Sequence, residues 1–320
     1  MEPNYFGQWK QSIVKQLRDT KKDKFIRRLD DDSLVINYLT YIRECVLHSV
    51  TVHESKDILK QLPTLSPNEA ANYQRIKSNL ISGSGISPYL STNASKLRPD
   101  DLFLALGIMH LHMGQITPGK SFSSRTSHTI HAKLSGDNIY FIAIGAHGQG
   151  NYTNSNELKI IYENWPEQLN VLKGVTPDKG LSSEGLFKLR QQNIMSLSSF
   201  TDEDGNVISV ITESGYSTAK TSTFDLETLD CVIRPEITEL TKKSLDQSIH
   251  SEPFIKNFFS YDIASHRFKY YAQNKDMENP EIVFEFSSLD FWGSVFSKSN
   301  VNLAITIYGP KNSERSEAHN

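Results

Sequence analysis

The chain has 320 residues, of which 38% are hydrophobic and 22% are charged, a balance typical of globular proteins with a sizeable core. The 34 Lys and Arg residues and 37 Asp and Glu residues give a formal net charge of −3 at pH 7. This charge excludes a global positive field that would draw the chain to nucleic acid or anionic lipid, so any such contact must come from a local patch.

Several features favour a cytoplasmic protein. The two cysteines, Cys45 and Cys231, lie far apart in sequence, which suits reduced thiols better than a secreted disulfide framework. No apolar run reaches the roughly 18 residues that a membrane helix needs, and the first ten residues lack the basic-then-apolar order of a signal peptide. We therefore expect no membrane partner.

Residues 1–81 are expected to form a helical N-terminal region. Apolar side chains recur at helical spacing over residues 6–17 and again over residues 34–46. The acidic run at residues 30–32 can cap the second of these helices. A Ser-Pro pair at residues 66–67 marks the start of a third helix.

The pattern changes after a stretch rich in Gly, Ser and Pro, residues 82–100, which composition predicts to be a linker. Beyond it, residues 103–116, 129–134 and 139–144 predict three strands, the last two joined by a short turn and followed by a helix. Residues 101–170 are therefore expected to form a central antiparallel sheet with a flanking helix.

The patterns in the remaining chain predict a mixed α+β C-terminal region over residues 171–310. The complete chain is therefore expected to be an α+β protein. The patterns indicate helices at residues 182–192 and 234–250, and extended segments at residues 207–212, 282–286 and 301–307. The many aromatic residues of this region are interpreted as core or partner-contact residues. Residues 311–320 hold almost no apolar side chain and are expected to be a disordered tail.

Histidine is concentrated in the expected sheet. Five of the ten histidines fall within residues 110–147. The strand period of two places three apolar side chains of residues 109–113 on one face and His110 and His112 on the other. We expect the apolar face to anchor the strand and the two imidazoles to lie exposed or in a cleft.

The next two strands extend this arrangement. Alternation puts Ile130, Ala132 and Leu134 on one side of their strand and Thr129, His131 and Lys133 on the other, whereas His128 shares the apolar side. His147 follows the third strand within a Gly-rich segment, where a ligand can approach the backbone closely.

Two imidazoles and a guanidinium are the groups needed to cleave RNA without a metal or another cofactor. One imidazole removes the 2′-hydroxyl proton, the other protonates the leaving oxygen, and the cation stabilises the phosphate. The predicted catalytic residues are His110, His112, Arg125 and His147. The predicted substrate-binding residues are Thr126, His131 and Lys133.

The same histidines could instead hold a metal, because His-x-His on a strand presents two nitrogens to one ion, with His147 or His131 as a third ligand. Acidic residues are scarce here, because Asp137 is the one Asp or Glu residue between residues 107 and 150. Carboxylates that could arrive from outside are those of Asp100, Asp101, Glu157 and Glu213. The scarcity favours metal-independent chemistry. A metal-dependent hydrolase acting on nucleotides and a non-catalytic binding or scaffold protein remain as alternatives.

The order of these motifs resembles a family of bacterial toxins. His110-Leu-His112, Arg125-Thr126, the strand at residues 139–144 with His147 after it, and a helix ending at Trp165 are similar to the ribonuclease toxins grouped with RelE, colicin and EndoU-type folds. The resemblance covers residues 103–167. It implies endoribonuclease activity on an RNA or nucleotide substrate, a packing role for Trp165, and a cognate antitoxin or a phage-defence complex as partner. The chain is longer and more acidic than such toxins usually are.

Overall fold

The computed structural model describes residues 4–146, 156–172, 185, 188–189, 198–211, 221–248, 254–275, 278–297 and 305–307. Over these residues the chain is an α+β protein whose sheets are mostly antiparallel, as the sequence predicts. Within the same residues, no helix is both long enough and apolar enough to cross a membrane.

The helices and strands follow one another along the whole described chain. The described helices are α1 (Tyr5–Thr20), α2 (Lys24–Arg28), α3 (Asp31–Cys45), α4 (Lys56–Gln61), α5 (Pro67–Ser82), α6 (Asp101–Leu106), α7 (Asn156–Asn164), α8 (Thr223–Thr228), α9 (Arg234–Gln247) and α10 (Ser288–Phe296). The described strands are β1 (Thr51–Glu54), β2 (Ile108–His112), β3 (His128–Ser135), β4 (Asn138–Ala146), β5 (Asn170–Leu172), β6 (Ser198–Thr201), β7 (Val207–Ile211), β8 (Lys256–Asp262), β9 (Arg267–Gln273), β10 (Glu281–Ser287) and β11 (Ile305–Ile307).

The three N-terminal helices expected from the sequence are confirmed as α1, α3 and α5. Asp30 caps α3 by accepting a hydrogen bond from the Ser33 amide at 2.8 Å. A capping box between Ser66 and Glu69 begins α5. The helix expected for residues 182–192 falls mostly outside the described residues, and the tail at residues 311–320 falls wholly outside them.

The strand predicted for residues 103–116 is wrong at its start, because α6 occupies residues 101–106 and β2 begins only at Ile108. The carboxylate of Asp100 caps α6 by accepting hydrogen bonds from the amides of Leu102 and Phe103. Gly107, at φ 69°, ends the helix and turns the chain into β2. Apolar side chains of α6 enter two separate core clusters, Phe103 one of them and Leu102 and Leu106 the other. The apolar residues therefore do not alternate with polar ones at helical spacing, and the sequence does not show the helix.

Residues 82–100, which composition predicts to be a linker, contribute four side chains to the core beneath the central sheet: Ile86, Tyr89, Leu90 and Ala94. Two short 3-10 turns, Ser87–Tyr89 and Ala94–Lys96, give this segment its shape. The segment therefore helps to build the sheet-bearing unit.

The central sheet has the strand order β1-β4-β3-β2. The antiparallel pairs β2–β3 and β3–β4 confirm the expected arrangement, whereas β1 pairs parallel to β4 and has no counterpart among the sequence predictions. The apolar alternation is confirmed, since one core cluster takes up these side chains: Met109, Leu111, Met113, Ile130, Ala132, Ile139 and Phe141.

The chain divides into two compact units, and neither is one continuous segment of the chain. The first combines residues 23–228 with residues 292–300 and contains the central sheet and a small sheet of order β5-β7-β6. The second combines α1 with described parts of residues 229–291 and with β11. Its sheet has the order β11-β10-β9-β8, so α1 groups with the C-terminal region rather than with the other N-terminal helices.

The second unit has an aromatic core, as the composition of the C-terminal region suggests. Trp9 of α1 is fully buried and lies 5.7 Å, ring centre to ring centre, from Phe268 of β9. Further buried aromatic side chains of this unit are Phe259, Tyr261, Tyr270, Phe284, Phe286 and Phe291. Strands β8 and β9, which carry several of them, are not among the sequence predictions.

A matched pair of leucines tests the assignment of the central core. Leu111→Ala should lower the free energy of unfolding by about 2–5 kcal/mol, because it leaves a cavity in the core. Leu59→Ala on α4, where the side chain is 50% exposed, should change it by less than about 0.5 kcal/mol. Urea denaturation measures both, and equal effects would contradict the assignment.

Candidate functional site

One face of the central sheet carries polar side chains that are nonetheless buried: His110, His112, Thr129, His131 and Lys133. His110 stands opposite His131 in the β2–β3 register, and His112 stands opposite Thr129. The predicted separation of polar and apolar faces is confirmed. The imidazoles are not exposed, because α6 and α7 pack on this face through a core cluster that includes Ile108 and Ile142.

The imidazole of His110 is paired with the carboxylate of Asp100. His110 Nδ1 lies 2.9 Å from Asp100 Oδ2, and both side chains are largely buried. The other oxygen of Asp100 caps α6, and the turn at Gly107 folds the helix back along β2. Capping and ion pairing by one carboxylate therefore fix His110 in place.

Electrostatics favour charge on both members of this pair. Burial opposes charge on His110, but the Asp100 carboxylate favours it more strongly and raises the pKa of His110 above its ordinary value, with Arg125 acting in the opposite direction. Burial would also raise the pKa of Asp100, yet the imidazole and two backbone amides outweigh it and lower that pKa.

Glu44, near the end of α3, is a second ionisable group at this place, and the sequence analysis missed it. Its side chain is buried, and burial together with the nearby Asp100 carboxylate raises the pKa of Glu44 well above its ordinary value, against the opposing effect of Arg43. The sequence offers little signal for this position, because 11 of the 15 residues of α3 are buried and the helix lacks a clear polar face.

Glu44, Asp100, His110 and Arg125 line one cavity of about 160 Å³. Arg98 lines it too, and the side chains of Arg98 and Arg125 are exposed. The cavity thus offers two solvent-accessible guanidinium groups and, among its buried walls, a carboxyl group and an imidazole whose pKa values are both raised. Such a set suits an anion that must exchange protons while bound.

The other predicted site residues lie elsewhere. His112 is buried with its ring 5.3 Å from the ring of His110, and it does not line the cavity. The Thr126 hydroxyl donates to the carbonyl of His128 at 2.5 Å. Lys133 is buried on the polar face of the sheet. His147 lies outside the described residues.

His131 has a carboxylate partner of its own. Its Nδ1 lies 2.9 Å from Oε1 of Glu157 on α7, and both side chains are buried. Together with Gly145 they line a different cavity, of about 350 Å³. The structure therefore separates His131 from the cavity of His110, although the two residues face each other across neighbouring strands.

His128 is paired with Glu69: the Nδ1 of His128 lies 3.0 Å from Oε1 of Glu69. Two of the four outside carboxylates considered from the sequence, those of Asp100 and Glu157, are partners of buried histidines. Among the residues that the structure describes, no group of three or more His, Cys, Asp or Glu side chains is arranged to hold a metal ion.

Comparisons of the chain with known protein families, curated proteins and solved structures give no match. Function must therefore be inferred from the site, because a fold alone does not define an activity.

The raised pKa of the buried Glu44 carboxyl group predicts how the free energy of unfolding changes with pH. Since the pKa of Glu44 is raised in the folded state, the unfolded chain ionises first as the pH rises above about 4.5, and the folded state then loses stability until its own pKa is reached. Glu44→Gln removes this loss. The variant should gain stability over the parent chain between pH 5 and pH 8, by about 1.4 kcal/mol for each unit of raised pKa in that window. Urea denaturation at the two pH values checks this, and an equal difference at both would contradict it.

Proposed function

We propose that this protein is a metal-independent endoribonuclease acting as a bacterial toxin or phage-defence effector. One observation carries the catalytic part of the proposal: Glu44, the Asp100–His110 pair and Arg125 line the same cavity. The toxin or defence role is supported by the resemblance of residues 103–167 to ribonuclease toxins. The proposed activity implies a cytoplasmic RNA substrate and a cognate antitoxin or defence complex that controls it.

In the proposed reaction, ionised Glu44 accepts the proton of a ribose 2′-hydroxyl, whose oxygen attacks the adjacent phosphorus. The bond from phosphorus to the 5′-oxygen breaks, and imidazolium His110 gives its proton to that leaving oxygen. The product ends are a 2′,3′-cyclic phosphate and a 5′-hydroxyl. Arg125 neutralises charge on the phosphoryl oxygens. Asp100 keeps His110 protonated and oriented.

This assignment replaces the paired histidines expected from the sequence with Glu44 and His110. His112 lies on the correct face but does not line the cavity, whereas Glu44 does. A carboxyl group of raised pKa is suited to general-base catalysis near neutral pH, because its basicity is greater than that of an ordinary carboxylate.

The size of the cavity limits what it can hold. Ligand pockets for whole small molecules usually have volumes of about 300–1,000 Å³, and this cavity measures about 160 Å³. A single phosphodiester group is therefore the part of the substrate proposed to enter it. The exposed side chains of Arg98 and Arg125 supply the local positive charge that the chain lacks as a whole.

The proposal predicts cleavage that depends on the 2′-hydroxyl and tolerates chelation. Full-length protein should cut an RNA oligonucleotide in the presence of excess EDTA, and the same oligonucleotide with deoxyribose at the cleaved position should resist. His110→Gln and Glu44→Gln should each reduce kcat by about 100-fold or more, because each removes a proton-transfer group. The pH-rate profile should be bell-shaped, with an acid limb from Glu44 above its ordinary pKa of 4.5 and an alkaline limb from His110 above its ordinary pKa of 6.5.

His128→Gln is the matched control, since His128 is a half-exposed histidine paired with Glu69 and does not line the cavity. It should keep full activity. Loss of cleavage in EDTA with recovery on one divalent ion would support a metal-dependent hydrolase instead. Absence of cleavage under both conditions would support a binding or scaffold protein.

Arg125 should act through the shape of its guanidinium as well as its charge. Arg125→Ala should reduce kcat/KM strongly, and Arg125→Lys should restore only part of the loss, because a point charge cannot form two parallel hydrogen bonds to a phosphate. Steady-state kinetics of the two variants give the comparison. Full activity of Arg125→Ala would remove this residue from the mechanism.

A further inference from the structure

A group of exposed basic side chains adjoins the cavity of His110. Two of them, Arg98 and Arg125, line the cavity itself. Arg98 also reaches α2, because its Cζ lies 5.1 Å from the centre of the Phe25 ring and its Nη2 lies 3.6 Å from Oδ1 of Asp23, the N-cap of α2. Helix α2 therefore lies beside this cavity, and both belong to the same compact unit.

Helix α2 presents basic side chains to solvent. Ile26 is fully buried, so the helical period places Lys24 and Arg28, which are one turn apart, on the opposite and outward side. Both side chains are exposed, and neither has a hydrogen-bond or ionic partner among the described residues. Two cations on one side of α2 are therefore available to an anion from outside.

The neighbouring carboxylates are engaged at the starts of helices. Asp23 accepts a hydrogen bond from the Phe25 amide at 2.8 Å, and Asp30 accepts hydrogen bonds from both the amide and the hydroxyl of Ser33 at 2.8 Å. Two further aspartates, residues 31–32, fall in the first turn of α3, where the helix dipole favours negative charge. These carboxylates therefore compete only in part for the cations of α2.

Lys96 brings a further cation to the same place. The pKa of Asp23 is lowered by the hydrogen bond from the Phe25 amide and further by the charges of Arg98 and Lys96, which puts Lys96 near the start of α2. The exposed cations between the cavity and α2, here called the basic track, are Lys24, Arg28, Lys96, Arg98 and Arg125. The track concentrates positive charge on a chain whose net charge is −3.

We propose that the basic track binds the phosphates of single-stranded RNA that flank the phosphodiester held in the cavity. A cavity of about 160 Å³ has room for one phosphodiester group, so the flanking nucleotides lie outside it. Lys24 and Arg28 lie about 6 Å apart along the helix axis, and a flexible single strand can bring its phosphates to such a row of cations. Phosphate contacts carry no base preference. The inference rests on the proposed ribonuclease function for the choice of RNA over other polyanions.

Binding of an uncleavable RNA to the full-length protein tests the track apart from catalysis. The probe is an octanucleotide with 2′-O-methyl ribose throughout, and fluorescence anisotropy measures its affinity over a range of KCl concentrations. The logarithm of the association constant should fall with the logarithm of salt at a slope of about −3.5, because each of five cations on a single strand contributes about −0.7. A slope no steeper than about −1.4, which the two cavity arginines alone would give, would overturn the proposal. Tighter binding of poly-L-glutamate than of RNA would overturn it in favour of an acidic protein partner.

Two exposed lysines at the first positions of short helices provide a matched pair of variants. Lys24→Gln should weaken binding of the octanucleotide about fourfold at about 0.15 M KCl and make the salt slope shallower by about 0.7, because one phosphate contact is lost. Arg28→Gln should have the same effect. Lys56→Gln should change neither quantity, because α4 packs on β4, two strands away from the strand of His110. Equal effects of Lys24→Gln and Lys56→Gln would contradict the proposal.

The outcome separates the two proposals. Steeply salt-dependent RNA binding that is weakened in Lys24→Gln, by a protein that cleaves no RNA, would uphold the track and overturn the ribonuclease. RNA cleavage with an unchanged KM in Lys24→Gln and Arg28→Gln would overturn the track and uphold the ribonuclease. Where both proposals hold, the two variants should raise KM for long RNA and leave kcat unchanged, because contacts outside the cavity hold the substrate and the transition state alike.

Discussion

Carboxylates meet two of the three buried imidazoles on one face of the central sheet, those of His110 and His131, and these two pairs tie the covering helices to the sheet. Asp100 meets His110 and at the same time caps α6, while Glu157 in the first turn of α7 meets His131. Both carboxylates thus belong to the helices that cover the polar face of the sheet. A paired charge can be buried at modest cost, whereas an unpaired one cannot, so the positions of helices and histidines are mutually dependent.

Glu44 departs from this pattern, since burial and the nearby Asp100 carboxylate disfavour its charge more strongly than Arg43 favours it. Groups of this kind reduce stability and are retained where chemistry needs them, which makes Glu44 more informative about function than a paired carboxylate would be. The two cavities divide the buried polar residues between them, since Glu44, Asp100 and His110 line one and His131 and Glu157 line the other.

Periodicity predicted the α+β class, the helices α1 and α3, and the face on which His110, His112 and His131 lie, because these depend on local repeats. The Ser-Pro pair at residues 66–67 predicted α5. Periodicity could not predict burial of the imidazoles, which α6 and α7 cause, nor the presence of Glu44, which arrives from α3 through the tertiary fold. Asp100 and Glu157 were visible as nearby carboxylates, but only the turn at Gly107 and the packing of α7 decide which histidine each one meets.

The grouping of α1 with residues 229–291 has a consequence for synthesis on the ribosome. The unit that contains the central sheet, apart from residues 292–300, has emerged once residue 228 leaves the ribosome, but α1 must wait for a further 79 residues (229 to 307) before its own unit, which includes β11, can assemble. At about 5–20 residues per second this interval is about 4–16 s. Throughout this interval the nascent chain exposes the amphipathic segment of α1, with Trp9 on its apolar side. Chaperones can bind this segment before the last strands are synthesised.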